Sequence, residues 1–202
     1  MSKIKQVFGN KRIVGLAGEM STGKTNNLVA LIVDLKKEKK DVKVYSYGMP
    51  DKVQEYLNKL NVKEISSLKQ MVYKKDCLLV IDQFERLNLN NKRYREELNK
   101  FVNFVYHNNV CVILCSPDIR EFNSIIGSVI ERWVLKDVHR DNCINGSQLK
   151  NAVEEYKGRY KLLDSIVVPK NKLLVINDEE DIIIELDYIK EVDTKKELKE
   201  LF

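Results

Sequence analysis

Residues 12–37 read RIVGLAGEMSTGKTNNLVALIVDLKK. Arg12–Ala17 is a short apolar run that ends at a glycine, and the run reads as a strand. Asn26–Lys37 carries Leu28, Leu31, Ile32 and Leu35 at helical spacing. Between them, Gly18–Thr25 (GEMSTGKT) matches G-x-x-x-x-G-K-S/T, the Walker A pattern. The flanks are those the pattern requires: a strand before it and an amphipathic helix after it. In such a loop, successive backbone N–H groups curl around phosphates and the helix N-terminus adds its dipole. Gly18 and Gly23 permit the close approach that a Cβ would obstruct. Gly18, Glu19, Met20, Ser21, Thr22, Gly23, Lys24, Thr25 and Asn26 are therefore the candidate phosphate-binding residues. Lys24 is placed to bridge the β- and γ-phosphates, and Thr25 offers a hard oxygen to magnesium.

A second pattern supports the first. Cys77–Ile81 (CLLVI) is a continuous apolar run, as a buried parallel strand requires. It ends in Asp82, the Walker B pattern, and this places a carboxylate at the carboxyl end of a strand, where α/β folds bind ligands. Asp82 would hold the magnesium of Mg2+–ATP through a water. The next residue is Gln83, where many P-loop ATPases carry a glutamate. A glutamine amide orients water but is a poor proton acceptor. Glu85 and Glu19 are the nearby carboxylates that could replace that base, although each also reads as a solvated surface acid. A third candidate is Ser116, after the apolar run Val110–Cys115. It is the small hydroxyl placed to sense a γ-phosphate, and equally a turn residue before Pro117.

Strand-like and helix-like segments alternate along the rest of the chain. Val42–Tyr47 alternates like a strand, Pro50 opens a helix to Leu60, and Ser66–Tyr73 reads as a short helix. Lys92–Tyr106 is helical by its apolar spacing, as is Asp118–Ile126. Trp133–Leu135 is a short strand and Ser147–Tyr156 a helix. Lys172–Ile176 and Ile182–Leu186 flank the acidic turn Asn177–Asp181 and read as a hairpin. Thr194–Phe202 is an amphipathic tail. The alternation implies an α/β sandwich around a mostly parallel sheet, with the hairpin adding an antiparallel edge. We find no internal repeat and no Gly-, Ser- or Pro-rich linker. The reading is one domain over residues 1–202, with its core at about 12–186 and a tail at 187–202.

Composition excludes several classes. Across 202 residues, 44% are hydrophobic and 32% charged, which is ordinary for a globular chain and argues against disorder. Eight glycines and three prolines exclude a collagen-like or low-complexity protein. The net charge of +5 permits nucleic-acid contact without demanding it. Cys77, Cys111, Cys115 and Cys143 form no C-x-x-C pair, so neither a zinc ribbon nor a thioredoxin-type motif is supported. Three of them lie in or beside apolar runs, where Cys acts as a small hydrophobe. Met1–Gly9 lacks the apolar stretch of a signal peptide, and no apolar run approaches the roughly 18 residues that span a bilayer. The expectation is a cytoplasmic protein with no membrane partner.

The motifs together resemble the FtsK/HerA superfamily of DNA-translocating ATPases. Ala17–Thr25 looks like that family's A-G-x-x-G-S-G-K-S region. Leu79–Leu87 (LVIDQFERL) looks like its V-V-D-E-F-A-D-L segment, and His107–Ser116 like its G-I-H-L-V-L-A-T stretch. Lys170–Ile176 resembles its late strand, so the likeness spans about Arg12–Ile176. It implies a P-loop NTPase fold of RecA/FtsK type, a three-layer sandwich, with ATP and Mg2+ as cofactors. It also implies a homo-oligomeric ring in which an arginine from one subunit completes the next subunit's site. Arg93, Arg95, Arg120 and Arg132 are the candidates. Double-stranded DNA would pass through the ring and be held by its phosphates. The basic runs are Lys36, Lys37, Lys39 and Lys40; Lys92, Arg93 and Arg95; and Lys157, Arg159 and Lys161. The first follows a helix, where lysines suit the dipole anyway. The chain departs from the family at Gln83 and Pro117, both of which bear on hydrolysis. The resemblance implies a motor that translocates or packages DNA, with a viral or mobile-element protein as a possible further partner. Two other readings stand beside it. One is a nucleotide-dependent regulator or assembly factor with little turnover. The other is a nucleoside kinase, since G-x-M-x-x-G-K-T also resembles thymidine kinase phosphate loops.

Overall fold

Each continuous apolar run becomes a strand, and the strands share one sheet. The computed structural model describes residues 2–67, 70, 74–84, 94–116, 119–122, 124–139, 142–143, 147–160, 165–177 and 180–192. In chain order these form α1 (Lys3–Phe8), β1 (Ile13–Ala17), α2 (Lys24–Glu38), β2 (Lys43–Tyr47), α3 (Asp51–Lys59), β3 (Val62–Glu64), β4 (Cys77–Ile81), α4 (Tyr94–His107) and β5 (Val110–Cys115). There follow α5 (Ser124–Gly127), β6 (Arg132–Leu135), β7 (Val138–His139), α6 (Gln148–Tyr160), β8 (Ser165–Ile166), β9 (Lys172–Val175) and β10 (Ile182–Glu185).

Among the described residues the main sheet has eight strands in the order β10-β9-β6-β1-β5-β4-β2-β3. From β6 to β3 all neighbours are parallel. Only β9 runs against the rest: it is antiparallel to β6 on one side and to β10 on the other. β7 and β8 form a separate antiparallel ribbon. This is the expected P-loop sandwich with its terminal antiparallel hairpin.

Alternation along each strand sorts the core into two layers. Val14 and Leu16 of β1, with Val44, Leu78, Val80 and Ile113, pack against α1, α2 and α3. Ile13, Leu79, Ile81, Val112 and Leu114 face the other way, among Phe101, Phe104 and Val105 of α4 and Leu149 and Val153 of α6. Two strand faces covered by helices explain why the central runs are apolar throughout.

Several elements differ from expectation. Asp118–Ile126 is not one helix. Its described part is a 3-10 turn at Ile119–Glu121 followed by the single turn α5. Phe122 between them is fully buried, with ring centroids 4.9 Å from Phe84 and 5.1 Å from Trp133. Burying that ring draws the chain inward and interrupts the helical path. Helix α1 was not anticipated; it forms because Ile4, Val7 and Phe8 bury one stripe beside α2. Neither was the short strand β3. Helix α6 runs past the expected end to Tyr160, and Ser147 Oγ accepts the Lys150 N–H at 3.1 Å to start it. Most of the helix read at Ser66–Tyr73, and all of the tail Thr194–Phe202, lie outside the described residues.

Candidate active site

The sheet order brings the motifs together. β5 lies between β1 and β4, so Gly18, Ser116 and Asp82 leave three adjacent strands at the same edge. That edge is the carboxyl end of the parallel strands, the ligand side of an open α/β sheet.

The Gly18–Thr25 loop turns sharply. Ser21 has φ 62° and Gly23 φ 90°, and α2 begins directly at Lys24. The first helical bond is Asn27 N–H to the Gly23 carbonyl at 3.0 Å, so the N–H groups of Lys24, Thr25 and Asn26 remain for a ligand. Thr22 Oγ1 donates to the Glu19 carbonyl at 2.8 Å and closes the loop on itself. Lys24 is buried, and its ammonium donates to the Gly18 and Glu19 carbonyls at 2.8 and 2.7 Å. Burial lowers its pKa, opposed by Cys115, Asp82, Glu19 and Asp137. A cation is thus poised inside the loop's mouth, stripped of most of its water.

Thr25 meets Asp82 across the gap between α2 and β4. Its hydroxyl donates to Asp82 Oδ2 at 2.8 Å. Asp82 is buried, and desolvation raises its pKa against the opposing pull of Thr25, Cys115, Lys24 and the Gln83 N–H. The register explains the Cys115 contact: Ile81 lies opposite Leu114, so Asp82 and Cys115 leave the sheet side by side. Gln83 is held at φ 59°, with its N–H 3.1 Å from Asp82 Oδ1. Ser116 is fully buried at the end of β5, between the loop and Asp82.

Three expected site residues have other employment. Glu19 lies on the β6 flank of the loop, away from Asp82. Its N–H bonds the Asp137 carbonyl at 2.7 Å and its carboxylate accepts from Asn142 at 2.7 Å. This placement does not suit a base acting beside Asp82. The Asn26 side chain holds the Ile189 peptide at both ends, donating to its carbonyl at 2.7 Å and accepting its N–H at 3.1 Å. Only the backbone of Asn26 is left for phosphate. Arg132 sits at the opposite end of the sheet, where its guanidinium donates to the Gln6 carbonyl at 3.4 Å. It faces away from this chain's own phosphate loop, as an arginine acting on a neighbour's site would. Arg120 is exposed in the 3-10 turn. Glu85, Arg93, Pro117 and the side chain of Arg95 lie outside the described residues.

The basic runs divide as well. Lys157 is buried, and Arg159 bonds the buried Asp181 carboxylate at 3.0 Å and Glu155 at 2.9 Å, pinning the β9–β10 turn to α6. Neither is a free DNA contact. Lys36 ties the turn after α2 back to the helix through the Val42 carbonyl at 2.8 Å, while Lys37, Lys39 and Lys40 are exposed. Lys92 and Lys161 lie outside the described residues.

Two residues at the site escaped sequence reasoning. Lys136 is fully buried just after β6, where its N–H bonds the Ala17 carbonyl at 2.9 Å. Its ammonium donates to the carbonyls of Pro169 and Lys172, tying the segment before β9 to the phosphate loop. Burial brings its pKa down to about 8. Gly48 follows β2 with φ 72°, and a Cβ there would run into the Asp82 carbonyl. The Asp82 N–H bonds the Tyr47 carbonyl at 2.9 Å, so this turn sets where Asp82 stands. Gly48→Ala is expected to cost at least about 2 kcal/mol of stability, from the combined clash and positive φ, and to displace Asp82. Urea unfolding and phosphate release on the variant check both. The only sequence signal for either residue was a glycine just after a strand.

Among the described residues there is no group of three or more His, Cys, Asp or Glu arranged to hold a metal. No described helix is long and apolar enough to cross a membrane.

Comparison with known proteins narrows the fold. A model of the bacterial DnaA ATPase domain family matches residues 11–131, from just before β1 to the residue before β6. No curated protein matches the chain in sequence. Among solved structures, it is similar to B204, the DNA-packaging ATPase of Sulfolobus turreted icosahedral virus. There the TM-score is 0.63 at 12% identity, covering 88% of this chain and 98% of that one. The genome-packaging NTPase B204 of Sulfolobus turreted icosahedral virus 2, in complex with ATP-γ-S, is similar with a TM-score of 0.57 at 11% identity, over 88% of this chain and 98% of that chain. The pCW3 conjugation coupling protein TcpA, a monomer form with ATP-γ-S, is similar with a TM-score of 0.55 at 10% identity, over 95% of this chain and 65% of that one. At these identities the likeness is one of fold, and the fold agrees with the FtsK/HerA resemblance carried by the motifs.

Proposed function

The chain belongs to the family of the bacterial DnaA ATPase domain, and from that premise we propose that it is an ATP-driven motor that translocates or packages double-stranded DNA. It is a P-loop ATPase. The observation that carries the motor reading is the likeness to B204, a DNA-packaging ATPase that is covered over 98% of its length. The family match stops at residue 131, whereas the B204 likeness covers 88% of the chain. The packaging ATPase therefore accounts for more of the architecture than the family match alone.

In this reading the loop from Gly18 to Thr25 cradles the triphosphate, and Lys24 exchanges its two loop carbonyls for phosphate oxygens. Mg2+ fits the residues present. Thr25 Oγ1 and Asp82 Oδ2 are hard oxygens 2.8 Å apart, and burial leaves the carboxylate's charge poorly solvated. Magnesium is commonly held by few protein oxygens together with phosphates and water. When bound, it would draw charge from the transferring phosphoryl group. Asp82 would hold it through water, Gln83 would orient the attacking water, and Ser116 would report the γ-phosphate. A ring would supply an arginine from a neighbour, with Arg93, Arg95, Arg120 and Arg132 as the candidates. DNA would be held by exposed lysines through its phosphates, without reading of sequence. The site would work in the cytoplasm, and a viral or mobile-element protein is a fitting further partner.

One observation favours a second reading, a nucleotide-dependent regulator with little turnover. Gln83 is no proton acceptor, and Glu19 is engaged by Asn142 on the far flank. A triplex-displacement assay separates the two. A motor strips a third strand from duplex DNA in an ATP-dependent way, and the activity disappears in Lys24→Ala. ATP binding without displacement, and without duplex-stimulated turnover, overturns the motor and leaves the regulator.

A further inference from the structure

We propose that Tyr188 is the platform for the nucleotide's base, and that the chain just after β10 forms one wall of the base subsite, with the turn before β9 as the other. The inference rests on the reading of Gly18–Thr25 as a triphosphate cradle.

The argument starts from direction. Lys24, Thr25 and Asp82 place the terminal phosphate on the β5 and β4 flank of the loop. The unpartnered N–H groups of the first turn of α2 draw the remaining phosphates toward Asn26. The nucleoside must then emerge beyond Asn26, and whatever stands there meets the base.

Two segments stand there. β10 runs in the same direction as β1, so the chain leaves it at the ligand edge of the sheet. It then reaches α2, where both polar ends of the Asn26 side chain grip the Ile189 peptide at 2.7 and 3.1 Å. The Leu186 N–H bonds the Asn171 carbonyl at 2.7 Å, joining this segment to the turn before β9. The same turn brings the Lys170 carbonyl within 3.4 Å of where a Cβ on Gly23 would lie. Lys136 anchors it from below through Pro169 and Lys172. Both walls are therefore fixed to the phosphate loop itself.

Between them the exposure pattern is uneven. Leu186 and Ile189 are buried, yet Tyr188 is 47% exposed. A large aromatic held half open between two buried anchors, one residue from the first turn of the cradle helix, is suited to stacking on a planar ring. Aromatic faces bind bases without regard to their identity, so the subsite would tolerate any base and discriminate against a bare polyphosphate.

The experiment compares ATP with inorganic tripolyphosphate, both with Mg2+, by calorimetric titration of the full chain. Tyr188→Ala is expected to weaken ATP about tenfold and leave tripolyphosphate unchanged. Tyr188→Phe keeps the ring and is expected to stay within about twofold of wild type for both. The proposal is overturned if Tyr188→Ala binds ATP as wild type does. It is also overturned if both ligands weaken together, since that marks damage to the cradle. If the wild-type chain binds tripolyphosphate but gains nothing from the nucleoside, the base subsite fails while the cradle stands. Binding of neither ligand overturns the cradle reading and the base subsite with it.

Discussion

Lys24→Ala is expected to reduce ATP turnover by about 100-fold or more, to the limit of detection, with the fold intact. Removing a single preorganised donor aimed at developing charge costs on this scale in other catalytic sites. The lysine is suited to that role: it is buried, its solvation replaced by the Gly18 and Glu19 carbonyls at 2.8 and 2.7 Å. Those carbonyls sit at the mouth of the loop, so the ammonium moves little on reaching phosphate. Stability should hardly suffer, because alanine is the better helix former and the lost group is a desolvated charge. Phosphate release and thermal unfolding on the same sample separate the two effects. A variant that loses turnover and also melts much earlier would assign Lys24 a structural role instead.

Asp82→Asn carries the second large effect, and its two parts have opposite signs. Turnover with Mg2+ is expected to fall about 100-fold or more, because a neutral amide no longer holds the cation or its water. Stability without Mg2+ is expected to stay level or rise. Burial raises the folded pKa of Asp82 above its unfolded value. Ionisation of that carboxylate therefore opposes folding, increasingly as pH climbs from the unfolded carboxylate range through the raised folded value. At pH 7, above the unfolded carboxylate range, the wild type bears this cost and the asparagine variant does not. Asparagine also still accepts the Thr25 hydroxyl bond made at 2.8 Å. Melting in metal-free buffer at pH 7, with the same scan in Mg2+, tests both parts. The metal should raise the melting temperature of the wild type and leave the variant unmoved.

The cradle was legible because its chemistry is local. A tight turn, a lysine and a hydroxyl at fixed spacing need only a strand before and a helix after, and residues 12–37 contain all of them. The Asp82 strand was legible for a similar reason: a strand buried on both faces is apolar throughout, so its last residue stands out. Residues whose roles come from distant contacts were not legible. Lys136 reads as an ordinary surface lysine, until β9 closes over it and its carbonyls replace water. Asn26 reads as one more phosphate-loop residue, but its partner lies 163 positions away at Ile189. Arg159 looked like a free basic residue because the buried Asp181 that binds it is reached only through the hairpin. Phe122 broke an expected helix because spacing does not reveal that its ring is required between Phe84 and Trp133.

The central claim is that this site turns over ATP with Gln83 in place of a glutamate. Steady-state phosphate release from Mg2+–ATP by the purified chain, with and without linear duplex DNA and with Lys24→Ala as the blank, tests it most directly. The account expects Mg2+-dependent release that rises with DNA and is absent from the variant. Tight Mg2+–ATP binding with no release above that blank, with or without DNA, would contradict it.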